Sequence, residues 1–265
     1  MRPFPLVALG AVVAALLAVA GSAQAARLLP HRAFYTLSLD QNRPGSGIVN
    51  VIGAMSYSLE DGCSVWLLEQ RIDMRRELEQ GAVTTSIAFT SWESKDGLRY
   101  GFRLRTYNDG QLSSETKGEA RLEGRGRGGR VRYTDPERRS LDLGSGTYFP
   151  MAHLAAVIDR SLAGQPQFVA RLFDGGDDDG PYVVSALTGA RKVPAATTPP
   201  LPHAEAMWPV QMAFFPATGL GDVPTYEIRL QLYDNGIAGA ISLDYGEFVL
   251  GGEMRMFEAL PRPRC

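Results

Sequence analysis

Most of the chain alternates between hydrophobic and polar residues, which is typical of β-strands with one buried face. In residues 34–39, Tyr35, Leu37 and Leu39 fall on one face, and Phe34 and Ser38 fall on the other. Similar runs predict strands over residues 47–59, 64–79, 83–92, 98–107, 168–173, 182–187, 208–215, 226–233 and 237–250, with a final strand or extended tail over 254–260. The pattern weakens over residues 111–143, and the long run over 64–79 predicts a bend or bulge.

Turns that contain glycine separate these strands. Lys95-Asp96-Gly97 lies between two alternating runs, and Asn235-Gly236 does the same near the C-terminus. Asp-Gly and Asn-Gly favour tight hairpins because both residues tolerate positive φ. We therefore expect neighbouring strands to pair in antiparallel order.

One helix interrupts the strands. Pro150 suits the first helical position, and Gly164 can end the helix. Between them, hydrophobic residues recur at helical spacing: Met151, Leu154, Val157, Ile158 and Leu162. Farther along, residues 195–202 are rich in proline and threonine, and they predict either a domain boundary or a long surface loop.

These elements predict a mainly β protein with a single large antiparallel curled sheet, either an open barrel or a β-spiral, and one amphipathic helix. A sheet of more than about ten strands curls or closes. A curled sheet with a helix over it can leave an apolar interior, which is a common geometry for holding a lipid-like ligand.

The N-terminus predicts export. Met1 and Arg2 precede an apolar stretch over residues 4–20, and Ala23-Gln24-Ala25 fits a signal-peptidase site. We expect a signal peptide over residues 1–25 and a mature periplasmic domain over residues 26–265 of a Gram-negative bacterium. The apolar stretch is shorter than the roughly 20 residues of a membrane span, so stable membrane insertion is not expected.

The charge balance narrows the range of partners. Without the leader, 26 Lys and Arg residues face 29 Asp and Glu residues, a net charge of −3. A value so close to neutral does not predict a nucleic-acid partner.

An outer-membrane barrel is a further alternative. It is disfavoured by the helix and by the absence of two regular aromatic girdles.

The chain has two cysteines, Cys63 and Cys265. In an oxidising compartment, a lone pair of cysteines favours one intramolecular disulfide. Two free thiols, or an intermolecular bridge through Cys265, are the alternatives.

Catalytic motifs are scarce. The three histidines are His31, His153 and His203; only His153 lies on a predicted helix, where packing is favoured over catalysis. Ser46 and Ser145 lie in Gly-rich turns that lack the spacing of a nucleophile elbow. We therefore predict no catalytic residues, cofactor or metal.

Two biased segments also predict turns. Residues 174–180 are rich in Asp and Gly, but they lack the alternating ligands and the distal Glu of a calcium-binding EF-hand loop. Residues 124–130 alternate Gly and Arg ahead of a β-like run, which predicts a basic hairpin loop able to touch lipid head groups or lipopolysaccharide.

The sequence resembles the EipB-like family of alphaproteobacterial periplasmic proteins across nearly the whole mature chain. The matching motifs are Asp61-Gly62-Cys63, Phe149-Pro150 ahead of His153, Leu172-Phe173-Asp174-Gly175, Leu232-Tyr233-Asp234-Asn235-Gly236-Ile237, Leu243-Asp244-Tyr245-Gly246-Glu247-Phe248-Val249-Leu250 and Cys265. The resemblance implies a barrel-like β-spiral with a helix and a disulfide between Cys63 and Cys265. It also implies a role in maintaining the cell envelope and a shape similar to that of periplasmic lipoprotein carriers, with no known catalytic site.

Together these observations predict a non-enzymatic periplasmic protein that supports envelope integrity by binding a hydrophobic ligand or a periplasmic protein partner. The alternative is an envelope hydrolase that acts on peptidoglycan or lipid.

Overall fold

The structure, a computed structural model, describes residues 28–176, 180–196, 199, 201, 204–217 and 223–265. Within them the chain forms fifteen strands and one helix. In chain order they are β1 His31–Asn42, β2 Ile48–Asp61, β3 Val65–Leu78, β4 Gly81–Ser94, β5 Arg99–Asn108, β6 Gln111–Leu122, β7 Gly129–Asp135, β8 Arg139–Leu143, β9 Thr147–Tyr148, α1 Pro150–Leu162, β10 Gln167–Leu172, β11 Tyr182–Thr188, β12 Met207–Pro216, β13 Tyr226–Tyr233, β14 Ala238–Asp244 and β15 Phe248–Ala259. The predicted signal peptide, residues 1–25, lies outside the described residues.

All fifteen strands belong to one sheet, in the order β8-β7-β6-β5-β4-β3-β2-β1-β15-β14-β13-β12-β11-β10-β9. Neighbours pair antiparallel, except that the short β9 runs parallel to β10. The edges, β8 and β9, are joined by the short Gly144–Gly146 turn, so the sheet curls into a nearly closed barrel. The predicted curled sheet with a single helix is confirmed.

Alternation of buried and exposed residues along the strands places one face of the sheet in the interior of the barrel. In β1, His31, Ala33, Tyr35 and Leu37 are buried, while the residues between them are exposed or half-buried. A long strand with one parity of buried residues specifies its register, because a one-residue slip would turn every inward side chain outward.

Two predicted boundaries were wrong at the C-terminal end. Residues 237–250 are not one strand, because Tyr245-Gly246-Glu247 forms a turn between β14 and β15. Gly246 has a φ of +85°, and its N–H donates to Asp244 Oδ1 at 2.9 Å. Residues 254–260 are not a separate element, since β15 continues through them to Ala259.

The bulge expected in residues 64–79 is absent from the pairing of β3 with β4, whose register runs unbroken from Val65 to Leu78.

In the weakly patterned residues 111–143, the chain forms three strands. Small or polar residues occupy inward positions of β6, including Thr116, Gly118 and Ala120. The alternation of hydrophobic and polar residues is weak in β6 because Phe102 of β5 fills the interior beside position 118, where the chain has glycine in place of a hydrophobic residue.

The predicted helix is confirmed as α1, which begins at Pro150 and is followed by Gly164 with a φ of +70°. Val157 and Ile158 are fully buried and pack with Trp208 of β12 and Leu232 of β13. The helix therefore lies against the inner face of the sheet. Among the described residues, no helix is long and apolar enough to cross a membrane.

Candidate functional site

A cavity of about 310 Å³ lies between helix α1 and the inner face of the sheet. Strands from opposite sides of the barrel contribute to it, so it occupies the interior. Its apolar lining comprises Tyr35, Met55, Tyr57, Pro150, Met151, Leu154, Val157, Leu172, Met212, Phe214, Tyr226, Ile228, Leu230, Leu232, Ala238, Ile241 and Leu243. This volume is at the lower end of the range for small-molecule sites, which are cavities of roughly 300–1,000 Å³.

Alternating residues on the strands supply this lining. On β13, Ile228, Leu230 and Leu232 point inward at every second position, while Arg229 and Gln231 are exposed. The sequence pattern therefore produces a continuous apolar wall. The remaining space is not filled by side chains, although a folded interior is normally close-packed.

His31 provides one polar group at this wall. Its Nδ1 lies 2.7 Å from the Leu29 carbonyl oxygen, to which it donates, and its ring stacks on Tyr57 and Phe257. Burial lowers the pKa of His31, although the hydrogen bond to Leu29 opposes this shift. The ring is therefore neutral at pH 7. Sequence reasoning had placed His31 only near the mature N-terminus, and its inward parity on β1 was the signal for this role.

The other phenol and amide groups at the wall are largely engaged. Tyr35 donates from its hydroxyl to the Ala238 carbonyl at 2.7 Å, and Gln70 Nε2 donates to Met55 Sδ at 3.0 Å. Burial raises the pKa of Tyr57 well above its usual value. No charge is expected on these groups at neutral pH.

His153 lies on α1 and lines the same cavity. Its ring stacks on Phe168 at a centroid distance of 5.4 Å and meets the edge of Tyr148. Its Nε2 is buried and has no hydrogen-bond partner within the described part of the chain. Burial lowers the pKa of His153 to about 4, so the imidazole is neutral. The ring therefore packs against aromatic side chains, and the absence of a catalytic role for His153 stays a prediction.

Glu93 of β4 fixes the start of α1, although sequence reasoning did not identify it. Its carboxylate accepts hydrogen bonds from the backbone N–H groups of Met151 at 2.7 Å and Ala152 at 2.8 Å. The side chain is buried, and this burial raises the pKa of Glu93 to about 7 against the lowering effect of the two bonds. The sequence signal that could have identified Glu93 is its position on β4, which points to the same inner face of the sheet as Ile87 and Phe89.

Cys63 and Cys265 form a disulfide in the structure, with Cα atoms 5.8 Å apart and a sequence separation of 202. The neighbouring Asp61 carboxylate contacts Lys95 Nζ, lies 3.4 Å from Arg262 and accepts from the Cys63 N–H at 2.9 Å. Burial opposes ionisation of Asp61, but these three contacts outweigh it and hold its pKa below the usual value. The C-terminal tail is thus attached to the end of β2 and the turn that follows it by a covalent bond and by the ion pair between Arg262 and Asp61.

The other residues considered from sequence do not join the cavity as a catalytic group. Ser46 and Ser145 lie in turns, and His203 and residues 177–179 lie outside the described residues. The predicted basic hairpin over residues 124–130 lies at the connection between β6 and β7, which comprises residues 123–128, and its last two residues begin β7. Within the described ranges, no group of three or more His, Cys, Asp or Glu side chains is arranged to hold a metal ion.

Comparison with known proteins agrees with this architecture. The cell envelope integrity protein EipB of Brucella abortus (strain 2308) is 33% identical over 244 residues, which cover 89% of this chain and 85% of the relative. The crystal structure of a β-barrel-like protein from Brucella abortus, assigned to a domain of unknown function, superposes with a TM-score of 0.83 at 31% identity. It covers 89% of this chain and 100% of its own. Since the EipB-like family model also matches residues 22–261, the chain belongs to the EipB-like family.

Proposed function

We propose that this protein is a non-enzymatic periplasmic component that supports envelope integrity by holding an apolar ligand in its interior cavity. The relative named a cell envelope integrity protein supports the envelope role, and the leader-like residues 1–25 support the periplasmic location. The cavity between α1 and the sheet is the observation that carries the ligand-binding step.

The lining defines the class of ligand. Aliphatic and aromatic side chains cover most of the wall, and His31 and His153 are neutral because burial lowers their pKa values. An anionic group would lose its hydration in this space and would lie near the Asp174 carboxylate, at a high free-energy cost. The cavity therefore suits a single hydrocarbon chain or a small neutral amphiphile.

His153 offers one specific polar contact. A buried polar atom without a partner is costly, and a ligand group that hydrogen-bonds to Nε2 would remove this cost. A hydroxyl group suits the position because it both donates and accepts, and it matches either tautomer of the ring. We expect a long-chain alcohol or monoacylglycerol to bind more tightly than the corresponding alkane.

The test is to fill the cavity from β13. Ile228→Trp adds volume inside, whereas Arg229→Trp, at the next residue, adds the same side chain to the outer face. Binding of the apolar dye N-phenyl-1-naphthylamine, and its displacement by monoolein, are measured by fluorescence for both variants. We expect wild type and Arg229→Trp to bind and Ile228→Trp to lose binding by tenfold or more.

The outcomes separate ligand binding from other functions. Circular dichroism and thermal unfolding must show that Ile228→Trp is folded; Ile228→Phe, a smaller change, replaces it if it is not. Equal dye binding by both variants, or no displacement by monoolein in wild type, would refute the cavity as the ligand site. Release of labelled products from lipid or sacculi would instead favour the hydrolase.

A further inference from the structure

The outer face of the sheet carries an unusual row of arginines. Arg99 of β5 is directly opposite Arg121 of β6, and Arg121 is directly opposite Arg130 of β7. All three are exposed, and the residues that follow them, Tyr100, Leu122 and Val131, are buried. Like charges directly opposite one another destabilise a sheet, so this row has a cost that folding alone does not explain.

Neighbouring acids compensate only part of this charge. Arg130 Nε pairs with Asp142 Oδ1 of β8 at 2.8 Å. In contrast, neither Arg121 nor Arg132 forms an ion pair with any residue that the structure describes. Arg121 therefore lies between two other arginines without a counter-ion.

Trp92 of β4 borders the same cleft. Its indole lies across the backbone of Gly101, in the space that a Cβ atom there would occupy. The side chain is partly exposed and has no aromatic or cation–π contact in the described ranges, whereas Trp66 is covered by Lys95 and Trp208 is fully buried. Trp92 is thus an available flat apolar surface on a polar face.

The cleft between these groups has a volume of about 700 Å³. The charged side chains that surround it are Arg99, Glu119, Arg121, Glu123, Arg130, Arg132 and Asp142. Sugar rings present apolar C–H faces that stack on aromatic rings, and adjacent hydroxyl groups that bind Arg and Glu side chains in pairs. Planar guanidinium groups also bind a carboxylate or phosphate through two parallel hydrogen bonds.

We propose that this outer cleft binds an acidic saccharide, with a sugar ring stacked on Trp92 and its carboxylate or phosphate held by Arg121. The anion supplies the counter-charge that the arginine row lacks. The site lies on the opposite face of the sheet from the interior cavity, so it does not depend on the ligand proposed there.

Binding is measured by isothermal titration calorimetry at low ionic strength, with tetragalacturonate, cellotetraose and sodium phosphate as probes. Tetragalacturonate and cellotetraose have the same number of hexose rings and differ in charge. We expect tetragalacturonate to bind, to weaken as salt is added, and to exceed both other probes by at least tenfold in affinity. Equal binding of cellotetraose would overturn the role of the charge, and equal binding of phosphate would overturn the role of the ring.

Three variants locate the site. Trp92→Ala and Arg121→Gln should each weaken tetragalacturonate binding about tenfold or more, since each removes a contact to the ligand. Arg255→Gln removes an exposed arginine of β15 outside the cleft and should leave the affinity unchanged. Unchanged binding by Trp92→Ala and Arg121→Gln, or an equal loss in Arg255→Gln, would place binding elsewhere and refute the proposal.

Discussion

The carboxylate of Glu93 on β4 accepts a hydrogen bond of 2.7 Å from the backbone N–H of Met151 at the start of α1. A helix leaves its first N–H groups without partners, and a local Ser, Thr or Asp usually satisfies one of them. Here Phe149 occupies that position and provides no side-chain cap. A residue 58 positions earlier in the chain therefore fixes the helix over the cavity.

The buried Glu93 and His153 should affect the pH dependence of folding stability in opposite directions. The pKa of Glu93 is about 7 in the folded state and 4.5 in the unfolded state. Between pH 4.5 and 7, folding therefore takes up a proton, and the contribution of Glu93 to stability falls as the pH rises. The pKa of His153 is about 4 against 6.5, so unfolding takes up a proton and stability rises with pH. In wild type the two contributions largely cancel between pH 4.5 and 6.5.

Glu93→Gln should therefore make the protein acid-sensitive. With the glutamate contribution removed, the histidine contribution remains, and the melting temperature should drop more steeply than in wild type from pH 6.5 to 4.5. The lowered pKa of His153 alone sets an upper size of about 3 kcal/mol for this loss. Thermal unfolding followed by circular dichroism measures this, with the exposed Glu119→Gln as control. A wild-type slope in Glu93→Gln would show that the carboxyl has no raised pKa.

His153→Leu should have the opposite effect. Leucine fills similar space without an unsatisfied nitrogen, so the glutamate contribution remains and stability should fall by about 1–3 kcal/mol as pH rises from 4.5 to 7. Urea unfolding at a series of pH values gives the slope. A flat profile in this variant would contradict the assignment of opposing groups.

Loss of the disulfide should loosen the C-terminus before the rest of the sheet. The bond closes a loop of 202 residues and stabilises the fold by at most about 5 kcal/mol on the chain-entropy model. Cys63→Ser should lower the melting temperature and speed proteolysis after residue 259, while mass spectrometry of the variant shows Cys265 free or paired between chains. Two free thiols in wild-type protein taken from the periplasm would contradict the bond.

Gly129→Ala should separate β6 from β7. A Cβ atom at this position would overlap the Arg121 carbonyl oxygen and lie 2.7 Å from Leu122 Cα, and these backbone atoms cannot move without breaking the pairing. Gly124→Ala in the same hairpin meets only the Arg127 side chain, at 3.4 Å. We expect a loss of about 2 kcal/mol or more for position 129 and little change for position 124, measured by urea unfolding. Similar losses for both would show that the hairpin as a whole is strained.

The sequence allowed the strands, the hairpins and α1 to be predicted wherever hydrophobic residues mark the inward parity, as in β1 and β13. It failed where another residue fills the interior, as Phe102 does beside Gly118, because the pattern then lacks its apolar member. The cavity and the Glu93 contact were also missed as specific sites. Both depend on distances between strands far apart in the chain, which periodicity does not encode.

The position of β1 beside β15 makes assembly of the sheet depend on the last part of the chain. Phe34 pairs with Met256 across nearly the whole sequence, whereas strands β1 to β8 and β10 to β15 each pair with their immediate neighbours. Contacts between distant residues form slowly because a long loop must first be closed. A nascent or truncated chain that lacks β15 therefore exposes an unpaired edge along β1, which is a template for aggregation. Synthesis must reach Ala259 before the two halves of the sheet can join.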